Sequence, residues 1–226
     1  MDDLYIGLMS GTSMDGVDAA LVDLKDGQPK IRATLGKEMP AAIREQLVGF
    51  IEQPHKIDLD ELGSLDTALG VVFADAAIAL LDEVGVPAKK IAAIGSHGQT
   101  VRHRPEGEYP FTLQIGDPNV IATRTRICTV ADFRRRDVAL GGQGAPLTPL
   151  FHESVFADPQ ENRIVLNIGG IANITTLLPD KPVTGFDTGP GNTLMDAWVR
   201  RSLGQRCDIN GAWAAGGTVV ENLLER

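Results

Sequence analysis

The stretch Ser10–Gly16, with the sequence SGTSMDG, combines small residues, hydroxyls and a carboxylate between two predicted strands. A glycine-rich turn after a strand can direct several backbone N–H groups into one concavity, which binds phosphate. Thr12 and Ser13 add hydroxyl donors, whereas Asp15 and Asp18 carry oxygen ligands of the kind that Mg²⁺ accepts directly or through water. A hairpin turn with capping side chains explains the same pattern. The loop alone therefore leaves phosphate binding and a plain turn equally open.

The loop matches neither of two familiar nucleotide-binding sequences. No Gly-Lys-Ser/Thr follows it, as a Walker loop requires, and a strand is predicted where the dinucleotide fingerprint needs a helix. A second small-residue turn, Asn167–Asn173 (NIGGIAN), joins two further predicted strands. Gly169-Gly170 alone is most often a simple turn. Two such hairpins, one from each part of the chain, can hold a polyphosphate from both sides.

The stretch Asp187–Asn192 (DTGPGN) places a carboxylate at a predicted strand end, before glycines and a helix start. Open α/β sheets bind ligands at such positions. A helix N-terminus favours anions, so we expect Asp187 to be ionised. An ionised carboxylate can accept a proton from an attacking water or hydroxyl, which favours Asp187 as a general base. An Asx turn that caps the helix is the alternative.

The stretch Ser96–Thr100 (SHGQT) follows a buried predicted strand. It is not a serine-hydrolase motif, because Ser96 and His97 are adjacent and the Gly-x-Ser-x-Gly spacing is absent. Contact of His97 or Gln99 with a sugar or another polar ligand is one interpretation, and a structural histidine bonded to a loop carbonyl is equally open. The run Arg134–Arg136 favours a solvated helix start over a substrate clamp. The remaining histidines, His55, His103 and His152, show no partner spacing and receive no role.

The predicted elements alternate between strands and helices, which indicates an α/β fold. Hydrophobic periodicity predicts strands at 4–9, 17–24, 31–37, 91–95, 111–115, 127–131 and 183–186, a strand–turn–strand unit at 163–178, and helices at 40–51, 62–81, 117–126, 150–156 and 194–201. The glycine-rich segment 134–149 is predicted to be a domain linker or hinge. Thr218–Glu221 has the capping-box pattern of a helix start, and that helix is interrupted after about two turns, which suggests a fragment.

Composition limits the classes of partner. The chain has 226 residues, a net charge of −9 and two cysteines. The acidic balance argues against nucleic acid and anionic membranes, whose binding depends on Lys and Arg. The cysteines show no metal or disulfide-framework spacing, and no apolar run approaches the roughly 18 residues of a membrane span. We expect a soluble protein of the reducing cytoplasm.

Four motifs in order, Gly11–Asp18, Ser96–Thr100, Asn167–Asn173 and Phe186–Asn192, resemble the anhydro-N-acetylmuramic acid kinase family of bacteria. The resemblance implies the fold shared by actin, Hsp70 and sugar kinases, with two α/β lobes around a nucleotide cleft. It implies ATP and Mg²⁺ as cofactors and a 1,6-anhydro sugar as substrate. The family's reaction opens the anhydro bond with water and phosphorylates O6, giving N-acetylmuramic acid 6-phosphate in cell-wall recycling. It further implies a homodimer whose lobes open and close.

The same resemblance implies roles for individual residues of this sequence. Asp187 is expected to be the base, and Asp15 and Asp18 are expected to hold the metal, directly or through water. The expected sugar contacts are His97, Gln99, Gly189 and Asn192. The expected ATP-phosphate contacts are Gly11, Thr12, Ser13, Met14, Asp15, Gly16, Val17 and Asp18 in the first loop, and Asn167, Gly169 and Gly170 in the second.

The predicted organisation is an N-terminal lobe at 1–145, with the first phosphate loop and sugar contacts, and the first part of a C-terminal lobe at 146–226, with the second loop and Asp187. The resemblance implies that the remainder of the second lobe, including the glycine-rich adenine segment, is missing after Gly217. Two alternatives stay open. One is a non-catalytic, actin-like nucleotide-binding or sensor module, and the other is a phosphatase or other hydrolase on the same lobes.

Overall fold

The computed structural model describes residues 4–25, 27–53 and 57–224, with side chains described through Asn222. His55 lies outside these residues. The chain divides into two compact units, Met1–Ala157 and Asp158–Arg226. The α/β class is as predicted, whereas the predicted lobes at 1–145 and 146–226 stay a prediction.

The first unit is built on a five-stranded mixed sheet with the order β3-β2-β1-β4-β7. Strand β1 pairs antiparallel with β2, which pairs antiparallel with β3, whereas β1, β4 and β7 run parallel. Alternation along β2 turns Val17, Ala19 and Leu21 into the core. The strands are β1 Leu4–Met9, β2 Gly16–Asp23, β3 Lys30–Glu38, β4 Ile91–Ser96 and β7 Thr129–Val130.

The long helix α2, Leu59–Val84, supplies most of the other side of this core. The carboxylate of Asp58 accepts the N–H groups of Asp60 and Glu61, which starts the helix, and Gly85 ends it in the left-handed conformation. Contrary to the sequence-based expectation, α2 is long and apolar enough to span a membrane. Its apolar residues, including Leu65, Leu69 and Phe73, are however buried in the first unit.

Two elements of the first unit were not predicted. One is strand β5, Gln99–Arg104, which forms a hairpin with the predicted strand β6, Phe111–Ile115, and whose polar sequence QTVRHR conceals its alternation. The other is a helix that occupies part of the predicted hinge, where only a helix start at Arg134–Arg136 was expected. The helices besides α2 are α1 Ala41–Glu52, α3 Pro118–Thr125, α4 Phe133–Ala139 and α5 Thr148–Phe156.

The predicted hinge belongs to the first unit because side chains of α4 hold its backbone. The guanidinium of Arg134 donates to the carbonyl of Gly144 at 2.6 Å, and the carboxylate of Asp137 accepts the N–H of Gly144 at 2.7 Å. Helix α5 also lies within this unit. The unit therefore extends to Ala157.

The second unit contains an antiparallel sheet with the order β10-β9-β8. Thr175 and Leu177 are buried on one face, whereas Ile164, Leu166 and Phe186 are exposed on the other. The last helix begins at Glu221, so the prediction of Thr218 as its N-cap is wrong. The elements are β8 Arg163–Ile168, β9 Ile171–Leu177, β10 Thr184–Pro190, α6 Asn192–Leu203, α7 Ala212–Ala215 and α8 Glu221–Leu224.

Candidate active-site elements

The loop between β1 and β2 is an open connection with exposed polar side chains. Its N–H at Met14 donates to the carbonyl of Gly11 at 3.2 Å, and Met14 has a φ of +52°. Thr12, Ser13 and Asp15 are exposed, and the Ser13 hydroxyl donates to the Asp15 carboxylate at 2.5 Å. The loop thus presents hydroxyls and a carboxylate to solvent while Met14 packs against the core.

The two ends of this loop are fixed by different contacts. Where β2 begins, a Cβ on Gly16 would lie 2.5 Å from the carbonyl oxygen of Lys37, so glycine is required. At the other end, the buried hydroxyl of Ser10 lies 2.9 Å from the carbonyl oxygen of Gly16 and 2.7 Å from the side-chain amide of Gln99. The hydroxyl proton of Ser10 can be donated to only one of these two oxygens at a time, and the NH₂ group of Gln99 donates to the carbonyl of Thr100 at 3.3 Å.

Gln99 is therefore a support of the loop between β1 and β2 as well as part of the SHGQT motif. It is only 1% exposed, and its amide reaches Ser10 from β5. Its predicted contact with the sugar stays a prediction, whereas its contact with the loop is direct. Sequence reasoning missed the link between Ser10 and Gln99, because the two residues are remote along the chain and no local pattern joins them.

His97 is held as a neutral ring by two partners. The Nε of Arg134 donates to Nε2 of His97 at 2.7 Å, so the ring proton lies on Nδ1, which donates to the carbonyl of Gly98 at 2.7 Å. Burial lowers the pKa of His97, and the nearby charge of Arg134 lowers it further, against the opposing effect of the Gly98 carbonyl. The structural interpretation of His97 is thus correct, and its predicted contact with the sugar stays a prediction.

Arg134 differs from its two neighbours in the arginine run. It is half-buried and holds both His97 and Gly144, whereas Arg135 and Arg136 are exposed. The prediction of a solvated helix start therefore describes Arg135 and Arg136 but is wrong for Arg134.

Two cavities of the first unit adjoin these residues. One of about 500 Å³ is lined by both Asp18 and His97, so the predicted metal ligand and the predicted sugar contact share one space. The other, of about 340 Å³, lies where β4 ends at Ser96 and β7 has just ended. Since β1, β4 and β7 are parallel, this edge of the sheet also carries Ser10. Ligands of open α/β sheets bind at this kind of edge.

The second unit aligns Asp187 with two asparagines. Asn167 lies directly opposite Asn173, and Asn173 lies directly opposite Asp187 across the antiparallel pairs. Directly opposite residues share a face and have Cβ atoms about 4.5–5.5 Å apart. This is the face that carries the buried Thr175 and Leu177. Asn173 was missed, although its symmetry with Asn167 about the turn in NIGGIAN is a signal for it.

The turn at Gly169-Gly170 is bound to the start of α6. The N–H of Asn192 donates to the carbonyl of Gly169 at 2.8 Å, and the N–H of Gly191 donates to that of Gly170 at 2.9 Å. The Thr193 hydroxyl also donates to Gly170, at 2.7 Å. A Cβ on Gly191 would overlap the Gly169 carbonyl, so glycine is required there. The start of α6, which was expected to favour anions, thus donates its first N–H groups to the carbonyls of the hairpin.

Two further predicted residues, Gly189 in β10 and Asn192 at the start of α6, differ in their contacts. The side-chain amide of Asn192 donates to the carbonyl of Ile168 at 3.2 Å, so it also holds the hairpin. Gly189 has a φ of +151° and follows a bulge, where the Thr188 hydroxyl donates to the carbonyl of Ala172 at 3.0 Å. An added Cβ on Gly189 would meet no atom within 4 Å, so this side of the turn is open.

The donor set is compatible with magnesium bound mainly through phosphate. Among the residues that the structure describes, no group of three or more His, Cys, Asp and Glu side chains could hold a metal ion by itself. Asp15 and Asp18 are both exposed near the phosphate loop. Since Mg²⁺ is usually held by one or two carboxylates together with substrate phosphates and water, these two residues fit such a role.

Two α/β units, each opening with an antiparallel hairpin joined by a small-residue turn, fit the actin, Hsp70 and sugar-kinase class that the motifs predicted. The chain belongs to the anhydro-N-acetylmuramic acid kinase family, whose sequence model matches residues 3–226.

Curated relatives named anhydro-N-acetylmuramic acid kinase agree with this assignment. The chain is 52% identical to one from Photobacterium profundum, with 98% of this chain and 59% of the relative covered. Identity is 56% to one from Vibrio vulnificus, with 98% and 60% covered. For one from Coxiella burnetii it is 54%, with 97% and 59% covered. The chain thus spans about three fifths of the length of these relatives.

Solved structures give weaker likenesses. A reductive activator for a corrinoid, iron-sulfur protein has a TM-score of 0.45 at 20% identity, covering 83% of this chain and 31% of its own. The Aquifex aeolicus Ppx/GppA phosphatase has a TM-score of 0.41 at 12% identity, covering 86% and 55%. Since both TM-scores are below 0.5, neither likeness bears on the assignment.

Proposed function

We propose that the full-length protein uses Mg-ATP and water to open 1,6-anhydro-N-acetylmuramic acid and phosphorylate it on O6, giving N-acetylmuramic acid 6-phosphate in peptidoglycan recycling. The observation that carries this proposal is the family match over residues 3–226, which includes all four motifs. The setting follows from the same proposal: a cytoplasmic enzyme, acting as a homodimer, with a small-molecule sugar as its partner rather than nucleic acid or a membrane.

The first loop is the proposed grip on the triphosphate. Backbone N–H groups within Gly11–Asp18 that are not already bonded as that of Met14 is, together with the exposed hydroxyls of Thr12 and Ser13, donate to phosphate oxygens. Asp15 and Asp18 would hold Mg²⁺, directly or through water, and the ion would supply positive charge to neutralise the phosphates. In the second unit, the Asn167 side chain and the N–H groups of Gly169 and Gly170 are proposed to contact the phosphates. The carbonyls of both glycines accept N–H groups at the start of α6, which fixes the turn in place.

Asp187 is the proposed general base. Its carboxylate accepts a proton from water, and the water oxygen forms a bond to the anomeric carbon of the sugar. The bond between that carbon and O6 breaks, and O6 bonds to the γ-phosphorus while ADP leaves. Phosphoryl transfer needs alignment and charge neutralisation more than covalent help, which agrees with a site made of small-residue loops and one base.

The proposed sugar contacts are the His97 region, Gln99, Gly189 and Asn192. A neutral His97 with both ring nitrogens occupied offers the flat face of its ring and fixes Arg134. The open side of Gly189 leaves room for a ligand next to Asp187. Gln99 also supports the first loop through its contact with Ser10. The proposed lobe roles follow the predicted division, with phosphate loop and sugar contacts in the first lobe and the base in the second.

The test is an assay of ADP release by the full-length protein with Mg-ATP, with and without the anhydro sugar. We expect sugar-dependent ADP formation, and a loss in kcat of about 10²–10⁴ for Asp187→Asn, the usual contribution of a general base. Asp180→Asn is the matched control, because it removes an exposed carboxylate of the same unit at a turn with a φ of +60° that Asn tolerates. ADP formation that is independent of sugar would contradict the kinase proposal. A nearly unchanged Asp187→Asn rate would exclude Asp187 as the base.

A further inference from the structure

The cavity of about 340 Å³ at the ends of β4 and β7, called here the Ser96 cavity, contains polar atoms that the fold leaves without partners. Its lining includes Leu62 and Asp66 of α2, Ser96 at the end of β4, and Leu113 and Gln114 of β6. All of these residues belong to the first unit. The cavity lies at the same sheet edge as the phosphate loop, since β1 and β4 are parallel.

Two buried oxygen atoms of this lining have no hydrogen-bond partner among the described residues. They are the hydroxyl oxygen of Ser96, a residue only 1% exposed, and the side-chain oxygen of Gln114. Buried polar atoms in folded proteins are nearly always hydrogen-bonded, and leaving one unpaired is costly. Each of these atoms therefore needs a partner that the chain does not supply, which is either a bound water or a polar group of a ligand.

The orientation of Gln114 is fixed by the other end of its amide. Its NH₂ group donates to the hydroxyl of Thr112 at 2.8 Å and to that of Thr100 at 3.1 Å. Exchanging the nitrogen and oxygen would only change which amide atom lacks a partner. One end of the amide is held by the two threonines, and the other end requires a partner from outside the protein chain.

The other lining residues indicate which chemical groups that partner carries. Leu62, Leu113 and Ile115 give the cavity an apolar wall. Asp66 accepts the N–H of Gly116 at 2.6 Å, and burial raises the pKa of its carboxyl group. A free acceptor, a free hydroxyl and an apolar wall complement a secondary amide that bears a methyl group, because such an amide has one donor, one acceptor and one apolar end.

We propose that the Ser96 cavity binds the acetamido group of the amino sugar, with the amide N–H donating to Gln114, the Ser96 hydroxyl donating to the amide carbonyl, and the methyl group packing against Leu62 and Leu113. This inference rests on the proposed kinase function and adds its specificity element. It makes Ser96 and Gln114 the residues that distinguish an acetylated sugar from its free amine.

The experiment compares 1,6-anhydro-N-acetylmuramic acid with the same sugar lacking the acetyl group, using the full-length protein. For the wild type we expect kcat/KM to fall at least about tenfold without the acetyl group, because a site built for hydrogen bonds rejects ligands that lack them. Gln114→Leu and Ser96→Ala are each expected to lower kcat/KM for the acetylated sugar about tenfold and to reduce the preference for it. The KM for ATP is expected to stay within about twofold of the wild-type value, since neither residue contacts phosphate.

Gln46→Leu is the matched control. It makes the same change from glutamine to leucine, and Gln46 lines a separate cavity next to α1. Ser96→Ala adds no atoms, so it tests the inference even if Gln114→Leu fails to fold in a thermal melt. An unchanged preference for the acetylated sugar in Ser96→Ala would overturn the inference, as would equal use of both sugars by the wild type. The absence of sugar-dependent ADP formation in the wild type would instead remove the kinase proposal itself.

Discussion

The two hairpins that carry the predicted phosphate loops differ in which groups hold their backbone. In the first unit, the loop from Ser10 to Gly16 exposes the side chains of Thr12, Ser13 and Asp15, while its backbone is held by N–H groups of Met14 and Met39 and by the Ser10 hydroxyl. In the second unit, the carbonyls of Gly169 and Gly170 both accept N–H groups from the start of α6. The first turn thus presents polar side chains to solvent, whereas the second is bound to the start of a helix.

This difference suits the two turns to different roles in the proposed function. The open loop offers hydroxyls and a carboxylate at a sheet edge, so it suits phosphate and Mg²⁺. The closed turn fixes the strand that carries Asp187 and aligns it with Asn173 and Asn167. Positioning of a base within small limits is what general-base catalysis requires. We therefore expect substitutions in the closed turn to have the larger effect on kcat, and those near the open loop to act mainly on ATP binding.

The largest effect is expected for Gly191→Ala in the closed turn. Its added methyl group would overlap the carbonyl of Gly169 and separate α6 from the hairpin. We expect the full-length protein to lose about 1–3 kcal/mol of unfolding free energy and most of its kcat, measured by denaturant unfolding and ADP release. Gly216→Ala is the control, because its Cβ makes only ordinary contacts from 3.5 Å outward. A variant that matches the wild type in both measurements would show that the closed turn does not position Asp187.

A smaller effect is expected for the support of the open loop. Ser10→Ala and Gln99→Leu each remove one side of the buried contact at 2.7 Å. We expect the KM for ATP to rise about threefold to tenfold in either variant, because the loop loses its anchor while the phosphate contacts remain. The double variant should cost less than the sum of the two, because the residues share one interaction. Strict additivity would indicate that Gln99 acts elsewhere, for example on the sugar.

The smallest effect is expected from the titration of His97. Burial and Arg134 lower its pKa in the folded state below the unfolded value of about 6.5. The unfolded chain then binds the proton first, so His97 should reduce stability as the pH falls below about 6.5 and have no effect above it. The measurement is the unfolding free energy of wild type and His97→Asn from pH 7.5 to 5.5. The difference between them should change over that range, and a constant difference would contradict the neutral, buried ring.

The sequence predicted the parts of the site that repeat a local pattern. Both hairpins follow from strand periodicity interrupted by small residues, and α2 follows from its apolar spacing. The prediction that the strand ends before Asp187 is wrong, because β10 continues through a bulge to Pro190. Strand β5 was not predicted, because its sequence QTVRHR is mostly polar and shows no clear alternation of apolar and polar residues. For α4, only a helix start at Arg134–Arg136 was predicted, because the glycines that follow are typical of a linker.

Other parts of the site depend on contacts between remote segments. The link from Ser10 to Gln99 and the one from Arg134 to His97 join residues that only the folded sheet brings together. The role of Arg134 could not be separated from those of Arg135 and Arg136 by composition, because burial alone distinguishes them. Unpartnered oxygens such as those of Ser96 and Gln114 become visible only when all neighbouring donors are known.

The central claim is that both hairpins contact the same triphosphate. It is tested most directly by amide hydrogen exchange of the full-length protein, with and without a non-hydrolysable Mg-ATP analogue. The account predicts slower exchange in peptides covering both 10–17 and 167–171, with little change at Asn192 and Thr193, whose N–H groups already donate to the hairpin. Protection confined to one of the two hairpins, or to neither, would contradict it.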